Sequence, residues 1–388
     1  MEYHTTKRSK LDKIGLCVYS AFVLFFAVYA FIKPNYNWDI IPYIGCALSY
    51  EDSDIGTLHS KTYEIVKRSV PPETYSDLTT SNAYRRNIAT NPENFYQQLR
   101  FYHVKPFYVF LVYVFLKLGL PIIKATVLIS VTSVIGIALI LILWISEHAP
   151  GFPAALISLF LLIASGLPGL GRWLTPDALS SVVIFLSFFL LVEQKRLNLA
   201  CLLLVLSLII RTDNIILLIP LFTYMRITNS PEYRVSTKQY SIFMIMAILL
   251  YLTITTLTDS YSWWTLFSHT FLGAIQRPAD YTAKFSLYYY INVVIRSIPY
   301  FYSEITSLFL LLASLTMVIC NFRFRDRDIY LHITLVALLV ICIRFLLYPA
   351  FPNRFFTVYY LVIGVMFVLV LGSKGCIRST NSHPEAAT

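Results

Sequence analysis

Asp39, in Asn37-Trp38-Asp39, follows an apolar run from Ile14 to Ile32. A carboxylate at the end of a membrane-buried helix can face a cavity and take a proton from a bound hydroxyl; a loop acid beside an interfacial tryptophan is the plainer alternative. Arg172 and Asp177 bracket Trp173-Leu174-Thr175-Pro176 ahead of another apolar run. Proline followed by an acid suits a helix start and its dipole, so capping by itself accounts for Asp177. Arg211 and Asp213 fall in a break between two apolar runs. There they form either a structural ion pair or a cation presented to an anionic ligand. Arg354, ahead of the last apolar run, reads as a phosphate-binding group or as a snorkelling anchor at the interface. Lys105, Arg277 and Arg296 are cations of the same kind.

Other chemistries lack their residues. Glu51, Asp52 and Asp54 could offer hard oxygen ligands to a divalent metal, but a solvated acidic face explains them better. His59 and His103 have no second histidine at metal spacing. Four of the six cysteines, Cys17, Cys201, Cys320 and Cys342, lie inside apolar runs, and none forms a C-x-x-C pair. With no Walker loop and no G-x-S-x-G, neither ATP-driven pumping nor serine hydrolysis is supported. No metal or other cofactor is required by these residues.

The elements that must position these groups are membrane helices. At 57% hydrophobic and 13% charged, with mean hydropathy +0.65, the 388-residue chain is too apolar for a soluble domain. The formal charge of +10 comes largely from short basic loops between apolar runs, which set topology and imply no nucleic-acid partner. Apolar runs at about 14–32, 122–145, 153–168, 178–192, 197–210, 214–225, 240–257, 304–321, 329–347 and 355–371 predict about ten spans in an all-α, polytopic bundle. The runs 197–210 and 214–225 predict a hairpin of short helices. The run 107–116 is too short to cross hydrocarbon as a helix and reads as interfacial or re-entrant. With that run not spanning, the cations at Lys195, Arg196, Arg226, Arg234, Lys238, Arg323, Arg325, Arg327, Lys374 and Arg378 fall on the side of the basic N-terminus. The positive-inside tendency then puts both termini in the cytoplasm and every chemically useful cluster on the outer face.

Residues 1–388 thus read as a single membrane domain without a large soluble part. Residues 33–105 form a first extracytoplasmic loop with interfacial helices, too polar to bury a core of its own and laid on the membrane domain as a lid. Residues 258–303 form a second, with Trp263, Trp264 and Tyr288-Tyr289-Tyr290 at the interface.

Taken in order, these pieces have a likeness. Asp39 follows the first helix. Lys105-Pro106-Phe107-Tyr108 opens a short apolar helix ending Lys117-Leu118-Gly119. Arg172-Trp-Leu-Thr-Pro-Asp177, Arg211-Thr-Asp213 and Asn353-Arg354-Phe355-Phe356 each precede a span. The series resembles the polytopic, lipid-sugar-dependent glycosyltransferases of the GT-C superfamily, which include protein O-mannosyltransferases and the aminoarabinose transferases of lipid A. The chain has Pro106-Phe107 where those relatives often have Pro-Pro, and a lone Asp39 where they often have paired acids. The resemblance implies a multi-pass enzyme of a bacterial cytoplasmic (inner) membrane. Its donor would be a sugar on a polyprenyl phosphate, and its acceptor a hydroxyl on a glycan, lipid or protein. It implies Asp39 as general base in an inverting displacement. Lys105, Arg211, Arg296 and Arg354 would hold the donor phosphate, with Arg172, Asp177 and Asp213 supporting the cavity. Two other classes fit the same membrane setting: a flippase moving a polyprenyl-linked sugar without bond cleavage, and a lipid-linked glycan polymerase or ligase.

Overall fold

A computed structural model describes residues 10–149, 151–303, 314–315, 328–350 and 353–373. Helix is the only extended regular structure among them; one isolated bridge pairs Asn35 with Trp173. The order is α1 (Lys10–Ile32), α2 (Ile40–Leu48), α3 (Ile55–Ser69), α4 (Pro72–Thr80), α5 (Ala83–Thr90), α6 (Pro92–His103), α7 (Pro106–Lys117), α8 (Ile122–Ser146) and α9 (Gly151–Ala164). Then come α10 (Leu167–Leu170), α11 (Asp177–Val192), α12 (Leu197–Leu206), α13 (Ile215–Ile227), α14 (Thr237–Leu257), α15 (Trp263–Phe271), α16 (Leu287–Ser303), α17 (Asp328–Leu347) and α18 (Thr357–Ser373). The expected apolar run 304–321, apart from 314–315, and the cations Arg323, Arg325, Arg327, Lys374 and Arg378 lie outside the described residues.

Four helices, α1, α8, α14 and the Ile329–Leu347 part of α17, are long and apolar enough to cross a membrane. Helices α6 and α7 make a fifth candidate only as a pair bent by 117° at Val104-Lys105. Proline at the start of α7 removes a helical donor and restricts the residue before it, so the chain turns there. Helices α9, α11, α12 with its 3₁₀ extension, and α18 are apolar but shorter. Of these, α11 and α18 are largely buried, whereas α9 and α12 leave Phe160, Ile163, Leu199 and Leu206 exposed.

Two cores hold the chain together. The larger joins α8, α9, α11, α12, α13, α17 and α18, with Leu141, Trp144, Phe185, Phe188, Phe222 and Tyr359 almost fully buried. Helices α1 and α14 flank it and leave large apolar side chains such as Leu24, Phe25, Leu249 and Leu252 exposed. Outward apolar faces of this kind suit hydrocarbon rather than water.

The second core joins residues 33–105 to the helical bundle. Residues 33–105 do bury apolar surface, with Ile40, Ile44, Leu58, Val66, Ile88, Phe95 and Leu99 all inside. They do so jointly with Val109 and Val112 of α7 and Ile123 and Val127 of α8, so this segment shares its core with the helical bundle. Each such side chain contributes roughly 1.5–3 kcal/mol when fully buried. Gly45 is what lets α2 lie on α6: a Cβ there would sit 2.6 Å from Phe95 Cζ and 2.9 Å from Leu99 Cδ2. That crossing carries Asp39, at the start of α2, to Tyr102 near the end of α6.

Candidate functional site

Local structure frees the Asp39 carboxylate. Aspartate at a helix start normally accepts from a backbone N–H one turn on, as Asp54 does from Thr57 N at 2.7 Å. Asp39 occupies the same position on α2 in an αR conformation and makes no such bond. Its oxygens look outward instead. Oδ1 accepts from the Tyr102 hydroxyl at 2.9 Å, and Oδ2 accepts from Asn37 Nδ2 at 2.6 Å and from Arg354 Nη2 at 3.2 Å.

Arg354 links this carboxylate to the rest of the cluster. Its Nε lies 3.7 Å from Asp177 Oδ2, and its guanidinium lies over the Trp173 ring at 4.8 Å and the Phe355 ring at 5.0 Å. Two of its buried nitrogens, Nε and Nη1, have no hydrogen-bond partner. Asp177 is 3% exposed at the start of α11, accepts from Thr175 Oγ1 at 2.5 Å, and pairs with Arg211. Arg211 also forks onto Asp213 through Nε at 3.0 Å and Nη2 at 2.8 Å, and Asp213 pairs in turn with Arg344.

The break that holds Arg211 is built by buried amides and hydroxyls. Short 3₁₀ turns at Ser207–Ile209 and Thr212–Asn214 interrupt the path from α12 to α13. Asn214 Nδ2 donates to Ser180 Oγ at 2.9 Å and to Ser207 O at 3.1 Å, tying the break to α11. The freed backbone groups thus find partners inside protein, the condition for irregular backbone within a membrane bundle.

Lys105 completes the cluster from the α6–α7 bend. Its ammonium donates to Phe101 O at 3.1 Å and lies over the Tyr102 and Tyr43 rings at 5.0 and 5.7 Å. Burial, then the positive charge of Arg211, push it down to about 8, against the attraction of Asp213 and Asp39. Four cations, Lys105, Arg211, Arg344 and Arg354, therefore face three carboxylates, Asp39, Asp177 and Asp213. The site carries an excess positive charge and unpartnered guanidinium donors, which suits a bound anion.

Asp39, Lys105, Asp177, Arg211, Asp213 and Arg354, all singled out in the sequence, meet here. Two others do not. Arg172 donates from Nε to Lys33 O at 2.7 Å and lies over Tyr29, so it fastens the end of α1 instead of lining the cluster. Arg296 is exposed on α16 and makes none of these contacts. Arg277 donates to Asn94 Oδ1 at 2.9 Å and joins residues 258–303 to residues 33–105. Among the described residues no group of three acidic, histidine or cysteine side chains could hold a metal ion.

Sequence reasoning missed Arg344, Tyr102, Asn37 and the role of Phe355. Arg344 was legible as the one cation within Ile329–Leu347, since a charge inside an apolar span is costly without a partner. Tyr102 and Asn37 carry no sequence signal. The Phe355 ring lies 5.0 Å from both the Arg211 and Arg354 guanidiniums and 5.9 Å from that of Arg344.

Residues 258–303 are tied to residues 33–105. Gln98 Nε2 donates to Ile275 O and Gln276 O, Tyr261 donates to Gln97 O, and Arg100 pairs with Asp259. Trp263 and Tyr290 donate to Leu347 O and Leu346 O at the end of α17. Comparison with protein-family models, curated proteins and solved structures gives no match for this chain.

Proposed function

We propose that this chain is an integral membrane glycosyltransferase of GT-C type that moves a sugar from a polyprenyl-phosphate donor to an acceptor hydroxyl on the extracytoplasmic face. The observation that carries this reading is the meeting of an uncapped carboxylate, Asp39, with Arg354, whose Nε and Nη1 have no hydrogen-bond partner. Group transfer from a phosphate needs that pairing: a base for the acceptor and cations for the departing anion.

In the displacement, Asp39 takes the acceptor proton as the acceptor oxygen bonds to the anomeric carbon from the face opposite the phosphate. The bond from that carbon to the phosphate oxygen breaks with inversion, and polyprenyl phosphate leaves with the electron pair. Arg354 and Lys105 stabilise the negative charge on the leaving group. Arg211 is shared between Asp177 and Asp213, so its task is to hold Asp177 and the α12–α13 break in place beside Arg354. The reading adopts about ten spans, α7 as a re-entrant helix, cytoplasmic termini, and a bacterial inner membrane.

The test uses full-length protein in nanodiscs with a radiolabelled polyprenyl-phosphate sugar and cell-envelope extract as acceptor source. Label should enter the extract with stoichiometric release of polyprenyl phosphate and inverted anomeric configuration. Passage of intact donor across proteoliposomes, with no cleavage, would overturn transfer in favour of a flippase.

A further inference from the structure

From the ring wall beside Asp39 we infer that the acceptor is a carbohydrate, held by stacking on Trp38 and Tyr84 with a hydrogen bond from Trp38 Nε1. This inference rests on the glycosyl-transfer reading and names its acceptor class.

A continuous series of rings leads away from the carboxylate. The Tyr102 hydroxyl donates to Asp39, the Trp38 ring stands edge-on to Tyr102 at 6.3 Å, and Tyr84 lies 5.6 Å from Trp38. His269 follows at 5.5 Å from Tyr84, with Phe101 5.0 Å from His269 and Tyr261 4.8 Å from Phe101. All of these residues keep partial exposure. Burial and then the negative charge of Asp39 push the Tyr84 phenol upward.

The wall is held rigidly from behind. Tyr84 donates to Gln98 Oε1 at 2.9 Å, and the Gln98 amide donates to two carbonyls of the second outer segment. One donor in the wall is left over: Trp38 Nε1 is buried and has no hydrogen-bond partner. A buried indole N–H is normally satisfied, so this one is matched to an acceptor atom that arrives with a ligand.

A ligand with an apolar face and an acceptor oxygen at its edge fits rings and a lone donor. The C–H face of a pyranose and its hydroxyls have that form, and ligand sites combine apolar rings with a few placed polar groups in this way. A lipid acceptor fits less well, because the wall lies between polar groups of two outer segments, among them Gln97, Gln98, Asn94 and Arg277. An extended peptide would require main-chain partners that a wall of rings does not offer.

Saturation-transfer NMR on full-length protein in nanodiscs can read this without donor. The probes are methyl glycosides of glucose, galactose, mannose and N-acetylglucosamine, a threonine-containing hexapeptide, and a short-chain fatty alcohol. Each is used at about 10 mM, enough to populate a site of 1 mM dissociation constant. At least one glycoside should receive saturation through its ring C–H protons, and Trp38→Leu should reduce it about fivefold, as expected for losing one stacked ring. Trp38→Phe, which keeps a ring and removes the N–H, guards against misfolding of the leucine variant and should give an intermediate loss. Saturation of the peptide or the alcohol in place of every glycoside, or glycoside signals unchanged in both variants, would overturn the inference. Donor cleavage is scored separately by release of polyprenyl phosphate, so a failed acceptor assignment leaves a distinct signature from a failed transferase.

Discussion

Asp39 and Arg354, 315 positions apart in the chain, meet with Arg354 Nη2 3.2 Å from Asp39 Oδ2. One follows the first long apolar helix and the other precedes the last described helix, so the two ends of the chain close one site. That contact brings residues 39 and 354 together on one side of the described bundle. Replacing Asp39 by Asn retains the shape and the Tyr102 contact but removes both the proton acceptor and the ion pair. Asp39→Asn should insert and remain monodisperse, while transfer falls by roughly 10²–10⁴-fold, the usual range for a missing general base. Normal turnover by this variant would remove Asp39 from the mechanism.

Arg354 is needed for its fork as well as its charge. It spends Nη2 on Asp39 and leaves Nε and Nη1 without a hydrogen bond, so a phosphate can be received without breaking a complete set of bonds. Arg354→Lys keeps a cation but loses the planar pair of donors. Turnover should drop by about 10²-fold, in line with removal of one preorganised donor to a developing anion. Single-turnover release of polyprenyl phosphate measures it; an unchanged rate constant would show that the fork does not face the leaving group.

Phe355 allows three like charges to gather. Its ring lies within 6 Å of the Arg211, Arg344 and Arg354 guanidiniums, so its quadrupole offsets part of their mutual repulsion. Phe355→Leu retains apolar volume and removes that attraction. Thermal unfolding in detergent should show a loss of about 1–3 kcal/mol, above the cost of a volume-conserving swap, whereas Phe355→Trp should keep most of the stability. Equal stability of the Leu and Trp variants would reduce Phe355 to packing.

The pairing of Asp213 with both Arg211 and Arg344 makes it the anchor of the α12–α13 break. Asp213→Ala leaves two guanidiniums short of a counter-ion and should cost roughly 3–5 kcal/mol. Removing Arg344 as well, as Asp213→Ala with Arg344→Met, relieves part of that burden. The double variant should therefore unfold at a higher temperature than Asp213→Ala alone, a coupling that a double-mutant cycle reads directly. Strict additivity would mean that the two side chains do not depend on each other.

How much of this was legible in the chain depends on the range of the interaction. Apolar runs gave α8, α11, α14 and α17 nearly to their ends, because periodicity and turn chemistry are local. The Arg211-Thr-Asp213 break was legible too, since two charges interrupt apolar sequence there. Arg296 looked equivalent to Arg354 because sequence reveals a cation's position on a helix but not which neighbour faces it. Asn37 and Tyr102 were invisible for the converse reason: their role exists only where α2 crosses α6 over Gly45. The joint core of the outer segment and α7–α8 likewise depends on contacts between polar-looking helices whose apolar stripes are narrow.

Lys105 gives the site a pH dependence with two opposite signs. Its ammonium is pushed down to about 8, below the ordinary lysine value near 10.4. It is charged below about pH 8 and loses its proton as the pH rises through that value, so the affinity for the donor phosphate should be flat at lower pH and fall above it. Fold stability should move the other way. Between about pH 8 and 10.4 the unfolded chain keeps a proton on Lys105 that the folded chain has released, and the Lys105 contribution to stability therefore rises with pH in that window. Retention of labelled polyprenyl-phosphate sugar by nanodisc-bound protein without acceptor, measured from about pH 6.5 to 9.5, should show the decline for the wild type. Lys105→Arg, which stays charged throughout, should abolish the decline. An alkaline limb of the same size in both proteins would assign the titration to another group.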